Sequence, residues 1–130
     1  MSEHTDANKA IVQRLIDDVL NGGNLDLIDQ LYTPELASGA RAWIAPFRAS
    51  FPDVHMATVE LIAEDDTVIG RFTCTATHTG TWQGHPPTGR RFTNIAEVNL
   101  YRIHNGRITD TWTLEDNLER LTQLGLLPTD

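Results

Sequence analysis

The chain has 130 residues, 40% hydrophobic and 22% charged, the balance of a globular chain with a core of its own. Eighteen acidic residues against ten basic ones give a net charge of −8, and Arg90-Arg91 is the densest basic cluster, so nucleic acid and anionic membranes are poor partners. Cys74 is the single cysteine, which excludes an intrachain disulfide framework and a cysteine-based zinc site.

No repeat or linker divides the sequence, so one domain over residues 1–130 is expected. The first helix is predicted over about Asp6 to Leu20, where Ile11, Val12, Leu15, Ile16, Val19 and Leu20 recur at helical spacing. Thr5 or Asp6 can cap its start, and Asn21-Gly22-Gly23-Asn24 ends it. A short second helix is expected from about Leu25 to Leu31, broken by Pro34. A third is expected from about Ser38 to Ser50, with Trp43, Phe47 and Phe51 at i, i+4, i+8. Such an aromatic stripe is more often core than pocket; across an incomplete sheet it can be both.

From His55 the period changes to two. Met56, Thr58, Glu60 and Ile62 alternate with Ala57, Val59, Leu61 and Ala63. Glu64-Asp65-Asp66-Thr67 reads as a turn. A threonine-rich strand follows over Val68 to Thr79, then a glycine- and proline-rich loop from Gly80 to Gly89. A further long strand covers about Phe92 to His104. Asn105-Gly106 is a strong hairpin signal, because both positions accept positive φ. The last strand is expected over Arg107 to Leu114, and a closing helix over Glu115 to Leu124, stopped by Gly125 and Pro128.

Helices first, then an antiparallel meander, then a helix: this order is α+β, with no strand-helix-strand alternation. A curved antiparallel sheet with N-terminal helices packed on its concave face makes a cone, and the interior of a cone is a natural small-molecule pocket. The longest apolar runs fall far short of a membrane span. Met1-Ser-Glu-His-Thr-Asp lacks the basic and apolar regions of a signal peptide, so a cytoplasmic location is expected.

Six features, in this order and spacing, carry a family resemblance. They are Phe51-Pro52-Asp53, Thr77-His78-Thr79-Gly80, Gly84-His85-Pro86-Pro87-Thr88-Gly89-Arg90, Arg102-Ile103-His104-Asn105-Gly106-Arg107-Ile108, Trp112 with Asp116 four residues on, and Gln123-Leu124-Gly125. Together they resemble the SnoaL-like polyketide cyclases, or ester cyclases, of the nuclear-transport-factor-2-like superfamily. The resemblance implies a cone fold and a cofactor-free enzyme. The implied reaction is intramolecular aldol ring closure on a polycyclic aromatic polyketide, or a related tailoring step such as hydroxylation. It also implies homo-oligomers, most often dimers. Tyr32 to Ser38 is shorter than the corresponding family segment and lacks its histidine.

Asp116 matches the family's catalytic aspartate in the Trp-x-x-x-Asp motif. A carbon between a ketone and an ester is acidic enough for a modest base, and an apolar cone raises a carboxyl toward the working range. Asp116 equally suits the cap of the last helix, where negative charge is favoured. His78 shares a strand face with Phe72, Cys74 and Ala76, and is either a core histidine or a donor to a substrate carbonyl. Glu97 sits mid-strand with Asn99 on the same face. That face lines a pocket, meets solvent or meets a partner subunit; the outer face is the first expectation, with Arg71 a possible ion-pair partner and Glu97 a second acid candidate. Trp112 and Trp82 are candidate pocket walls, with Trp43, Phe47 and Phe51. His55, His85 and His104 lack ligand spacing, so no metal is expected, and no dinucleotide, P-loop or nucleophile-elbow motif is present. Three readings therefore compete: an enzyme if Asp116 lies inside an apolar pocket (a cyclase, or a hydroxylase partner or hydrolase in which the same carboxylate activates water), a small-molecule binding protein if Asp116 is exposed on the helix end, and an assembly protein if side chains fill the pocket.

Overall fold

The structure is a computed structural model and describes residues 2–127. Helix α1 (Glu3–Arg14) opens with a capping box between Ser2 and Thr5. It continues as a π-helical segment, Leu15–Asn21, in which Leu15, Ile16, Val19 and Leu20 are buried. These two pairs stand four apart, and a wider turn keeps both on the inner face. A 3-10 turn at Leu25–Leu27 leads into α2 (Ile28–Leu31). Helix α3 runs Pro34–Ser50, a turn earlier than expected. Pro34 starts this helix because a first-turn position needs no N–H donor.

The sheet is a four-stranded antiparallel meander in the order β1-β2-β3-β4, formed by His55–Glu64, Thr67–Thr77, Arg91–His104 and Arg107–Glu115. Asn105 and Gly106 take φ of 51° and 80°, the paired left-handed geometry of a tight hairpin. Helix α4 (Asn117–Leu124) closes on Gly125 at φ 72°; Pro128 lies outside the described residues. All secondary elements of the expected order are present, and the helices cover the sheet's inner face around Val12, Ile16, Phe51, Phe72, Ile95 and Ile103.

Strict alternation fails at two bulges. In β1 the register shifts between Thr58 and Glu60, so Met56 faces in before it and Leu61 and Ala63 pack inward after it. In β3, Thr93 and Asn94 stand opposite the single Thr75, with Asn94 at φ 54°. Phe92 therefore joins Ile95, Glu97, Asn99, Tyr101 and Ile103 on the inner face, not the opposite one. An extra residue in one strand inverts the side-chain parity.

The outer face carries Ile62, Ile69, Leu100 and Trp112, which are register partners from strand to strand across all four strands. Arg71 also lies outside, 3.0 Å from Glu60 and not beside Glu97. Asp53 of the Phe-Pro-Asp segment accepts bonds of 2.7 Å from both the N–H and the hydroxyl of Thr77. That motif therefore ties the α3–β1 turn to the end of β2. No helix among the described residues is long and apolar enough to cross a membrane.

Candidate functional site

The cone encloses a cavity of about 610 Å³ between α3, the loop 80–89 and the inner faces of β3 and β4. Its walls are mainly apolar, with Leu20, Trp43, Phe47, Val54, Met56 and Trp82 among them. This is the size and character of a cavity for a drug-sized or polycyclic ligand. The aromatic stripe of α3 divides along its length. Trp43 is 49% exposed and Phe47 is half-buried on the cavity wall, while Phe51 is in the core. Phe51 stacks near His78, Trp82 and Phe92, with ring centroids 5.2–5.5 Å apart. Phe51 thus supports the wall without forming it.

Glu97 enters this cavity from the middle of β3 and is only 6% exposed. Its register partner on β4 is Glu115, which also lines the cavity. The Arg120 side chain, fully buried, lies between them and α4. Its Nη1 donates to Glu115 Oε1 at 2.9 Å, and its Nη2 is 3.5 Å from Glu97 Oε2. Nη1 also donates to Asn117 Oδ1. The guanidinium stands 4.8 Å from the Phe92 ring centroid and 5.6 Å from that of Phe47, both cation–π distances. Burial pushes the Glu97 carboxyl up to about 7; Glu115 adds to the rise, and Arg120 and the Cys74 thiol oppose it. Burial, with Glu97 adding, also lifts Cys74 to about 12, so its thiol stays protonated and inert. The site is therefore a cavity-facing carboxyl poised between its two protonation states near neutral pH.

Five of the nine expected site residues, Glu97, Asn99, Trp82, Trp43 and Phe47, meet at the cavity. The position of Glu97 corrects the expectation that it faces outward. Four others lie elsewhere. Asp116 was expected at the pocket floor or wall beside Trp112. It is instead the exposed N-cap of α4, where its side chain accepts from the Glu119 N–H at 3.1 Å. The reason is local: β4 ends at Glu115, and Asp116 turns out to cap the orphan N–H groups of the next helix. Trp112, also expected as pocket wall, is 55% exposed on the outer face, because Thr113 and Glu115 take the inward positions of β4. Phe51 sits behind the wall, as above. His78 is fully buried in the core, with Nδ1 accepting from the Thr88 N–H at 3.2 Å.

Sequence reasoning missed Glu115 and Arg120. Glu115 read as the first helical residue, and its strand parity is visible only once β4 is paired. Arg120 carried a usable signal: it precedes Leu124 by four and so lies on the buried stripe of α4.

A curved α+β cone with a buried carboxyl facing a mainly apolar cavity defines the class: a small-molecule site of the cyclase-like kind. The family profile of the SnoaL-like polyketide cyclases matches residues 10–124, and the chain belongs to that family. Aklanonic acid methyl ester cyclase DnrD of Streptomyces peucetius is 31% identical over 108 residues, covering 83% of this chain and 72% of the relative. The fold matches that of TsrD from Streptomyces laurentii, with a TM-score of 0.87 at 23% identity over 98% and 99% of the two chains. It also matches AclR from Streptomyces galilaeus, a candidate hydroxylase, at a TM-score of 0.86 and 25% identity over 97% and 85%.

Proposed function

We propose that this protein is an enzyme that closes a carbon ring by acid-base catalysis on a polycyclic, polyketide-like substrate, with Glu97 as the acid-base group. The observation that carries this is the buried Glu97 carboxyl facing a mainly apolar cavity. Asp116 on the helix end would favour a binding protein had the cavity held no such group. The cavity is also open, which disfavours a purely structural role.

The chemistry follows from the carboxyl's position. Ionised Glu97 removes the proton from a carbon flanked by a ketone and an ester. The resulting enolate forms a carbon–carbon bond with a carbonyl of the same molecule. The alkoxide then takes the proton back from Glu97. Every atom and electron is conserved, so the step needs no oxidant. Apolar walls favour this because desolvation raises the basicity of the carboxylate. Arg120, itself bound to Glu115, holds the carboxyl group in place, and the aromatic walls hold the rings.

We further infer a homodimer through the outer sheet face, where Ile62, Ile69 and Trp112 present an exposed apolar row, and a cytoplasmic location. Turnover of aklanonic acid methyl ester, the compound named for the curated relatives, tests the reaction. Conversion to a ring-closed product that is lost in Glu97→Gln supports it; binding without turnover by wild-type protein supports a carrier instead.

A further inference from the structure

A second, smaller hollow of about 220 Å³ adjoins the main cavity, with Trp43, Asn99 and Thr113 lining both. Its other walls include Tyr32, Tyr101 and Thr111, and it reaches the surface of α3 at Gly39. Asn99 is 6% exposed. Its Nδ2 donates to Tyr101 Oη at 3.1 Å, while its Oδ1 is buried without a partner among the described residues. A buried amide oxygen left unpaired is costly and is ordinarily satisfied by something. Burial holds the Tyr101 phenol far above its usual range, so it stays protonated. The bond it accepts from Asn99 leaves its own hydrogen for a further acceptor.

We propose that this side hollow is a second subsite that takes a short hydroxyl-bearing arm of the bound ring system. A hydroxyl is the group that matches both vacancies, donating to Asn99 Oδ1 and accepting from Tyr101 Oη. A methyl group fills the space and satisfies neither; a carbonyl satisfies only the phenol. The subsite also sets a distance. Glu97 and Asn99 are alternate residues of one strand and face the same side, so their Cβ atoms stand about 7 Å apart. The arm thus roots one ring away from the carbon that loses its proton. This inference rests on the reading of the main cavity as a polycyclic site and adds what the substrate must carry.

Gly39 gives a clean way to close the hollow. A Cβ built there meets nothing within 4 Å, and the residue lies within α3, where most side chains improve helix propensity over glycine.

The test measures binding of two dihydroxyanthraquinones, one with a hydroxymethyl arm and one with a methyl arm, by calorimetry or quenching of tryptophan fluorescence. Wild-type protein is expected to prefer the hydroxymethyl probe by about tenfold, the worth of a satisfied buried hydrogen-bond pair. In Gly39→Leu and in Asn99→Leu the ratio between the two probes collapses toward one. Circular dichroism verifies that each variant folds, and either variant alone suffices. Equal binding of both probes by wild-type protein, or an unchanged ratio in a folded variant, overturns the subsite while leaving the main cavity reading intact. Binding of neither probe overturns both.

Discussion

Glu97 and Glu115 stand directly opposite each other across the β3–β4 ladder. Like charges in that position are destabilising, and both side chains line the same cavity. The fully buried Arg120 reaches both carboxylates. Burial raises Glu97 to about 7, with Glu115 adding to the rise and Arg120 opposing it. In the proposed reaction Glu97 carries the proton, while Glu115 accepts the 2.9 Å bond that fixes Arg120.

Glu97→Gln keeps the size of the side chain and removes the proton-accepting charge. Turnover should fall by roughly two to four orders of magnitude, the usual worth of a general acid-base group. Ligand affinity should change little, measured by titration of the same substrate. Turnover within a fewfold of wild type ends the Glu97 assignment.

Asp116→Asn should leave turnover within about threefold, since Asp116 caps α4 outside the cavity. Asp116→Ala should lower stability by ~1 kcal/mol in denaturant unfolding, through loss of the cap. A large loss of turnover in a well-folded Asp116→Asn protein returns the catalytic role to that residue.

Two pH dependences follow from the raised Glu97 carboxyl. As a base it must be ionised, so kcat/KM should climb with pH and level off above about 7. Stability should move the other way. The folded value lies above the ordinary 4.5, so the contribution is whole below pH 4.5 and gone once pH passes about 7. Its size is ~3 kcal/mol. Urea unfolding from pH 4.5 to 8 reads this slope, and Glu97→Gln should flatten it. A wild-type slope that survives in the variant assigns it to another group.

Arg120→Leu leaves two carboxyls facing each other with no cation between them. Unfolding should be easier by about 3–5 kcal/mol, the usual cost of removing one partner of a buried ion pair. The milder Arg120→Lys should fold and should raise the pH at which kcat/KM levels off, because a looser cation opposes the Glu97 rise less well. An unmoved profile in Arg120→Lys argues that Arg120 serves the fold alone.

Trp112→Glu places a charge within the outer apolar row. If that face joins two copies, light scattering should report a dimer for wild-type protein at micromolar concentration and a monomer for the variant. A wild-type monomer removes the dimer.

The order of elements, the antiparallel meander and the Asn105-Gly106 hairpin were legible in the sequence, because each depends on residues close together in the chain. Apolar spacing within a helix, alternation within a strand and the glycine demand of a tight turn are local properties. The cavity walls Trp43, Phe47 and Trp82 were legible too, as large aromatics on a helix and loop that must cover an open sheet. Which carboxyl faces inward was not legible. A bulge at Thr93-Asn94 reset the parity of β3, and the boundary between β4 and α4 decided whether Glu115 or Asp116 turns toward the cavity. Shifting a strand boundary by one residue moves a side chain to the opposite face, so the motif position of Asp116 could not place it. Arg120 and Glu97 are remote in sequence, and only packing α4 against β3 brought their charges together. Local pattern thus determined the scaffold, while the ionisable centre came from the register of strands and the desolvation that the closed cone imposes.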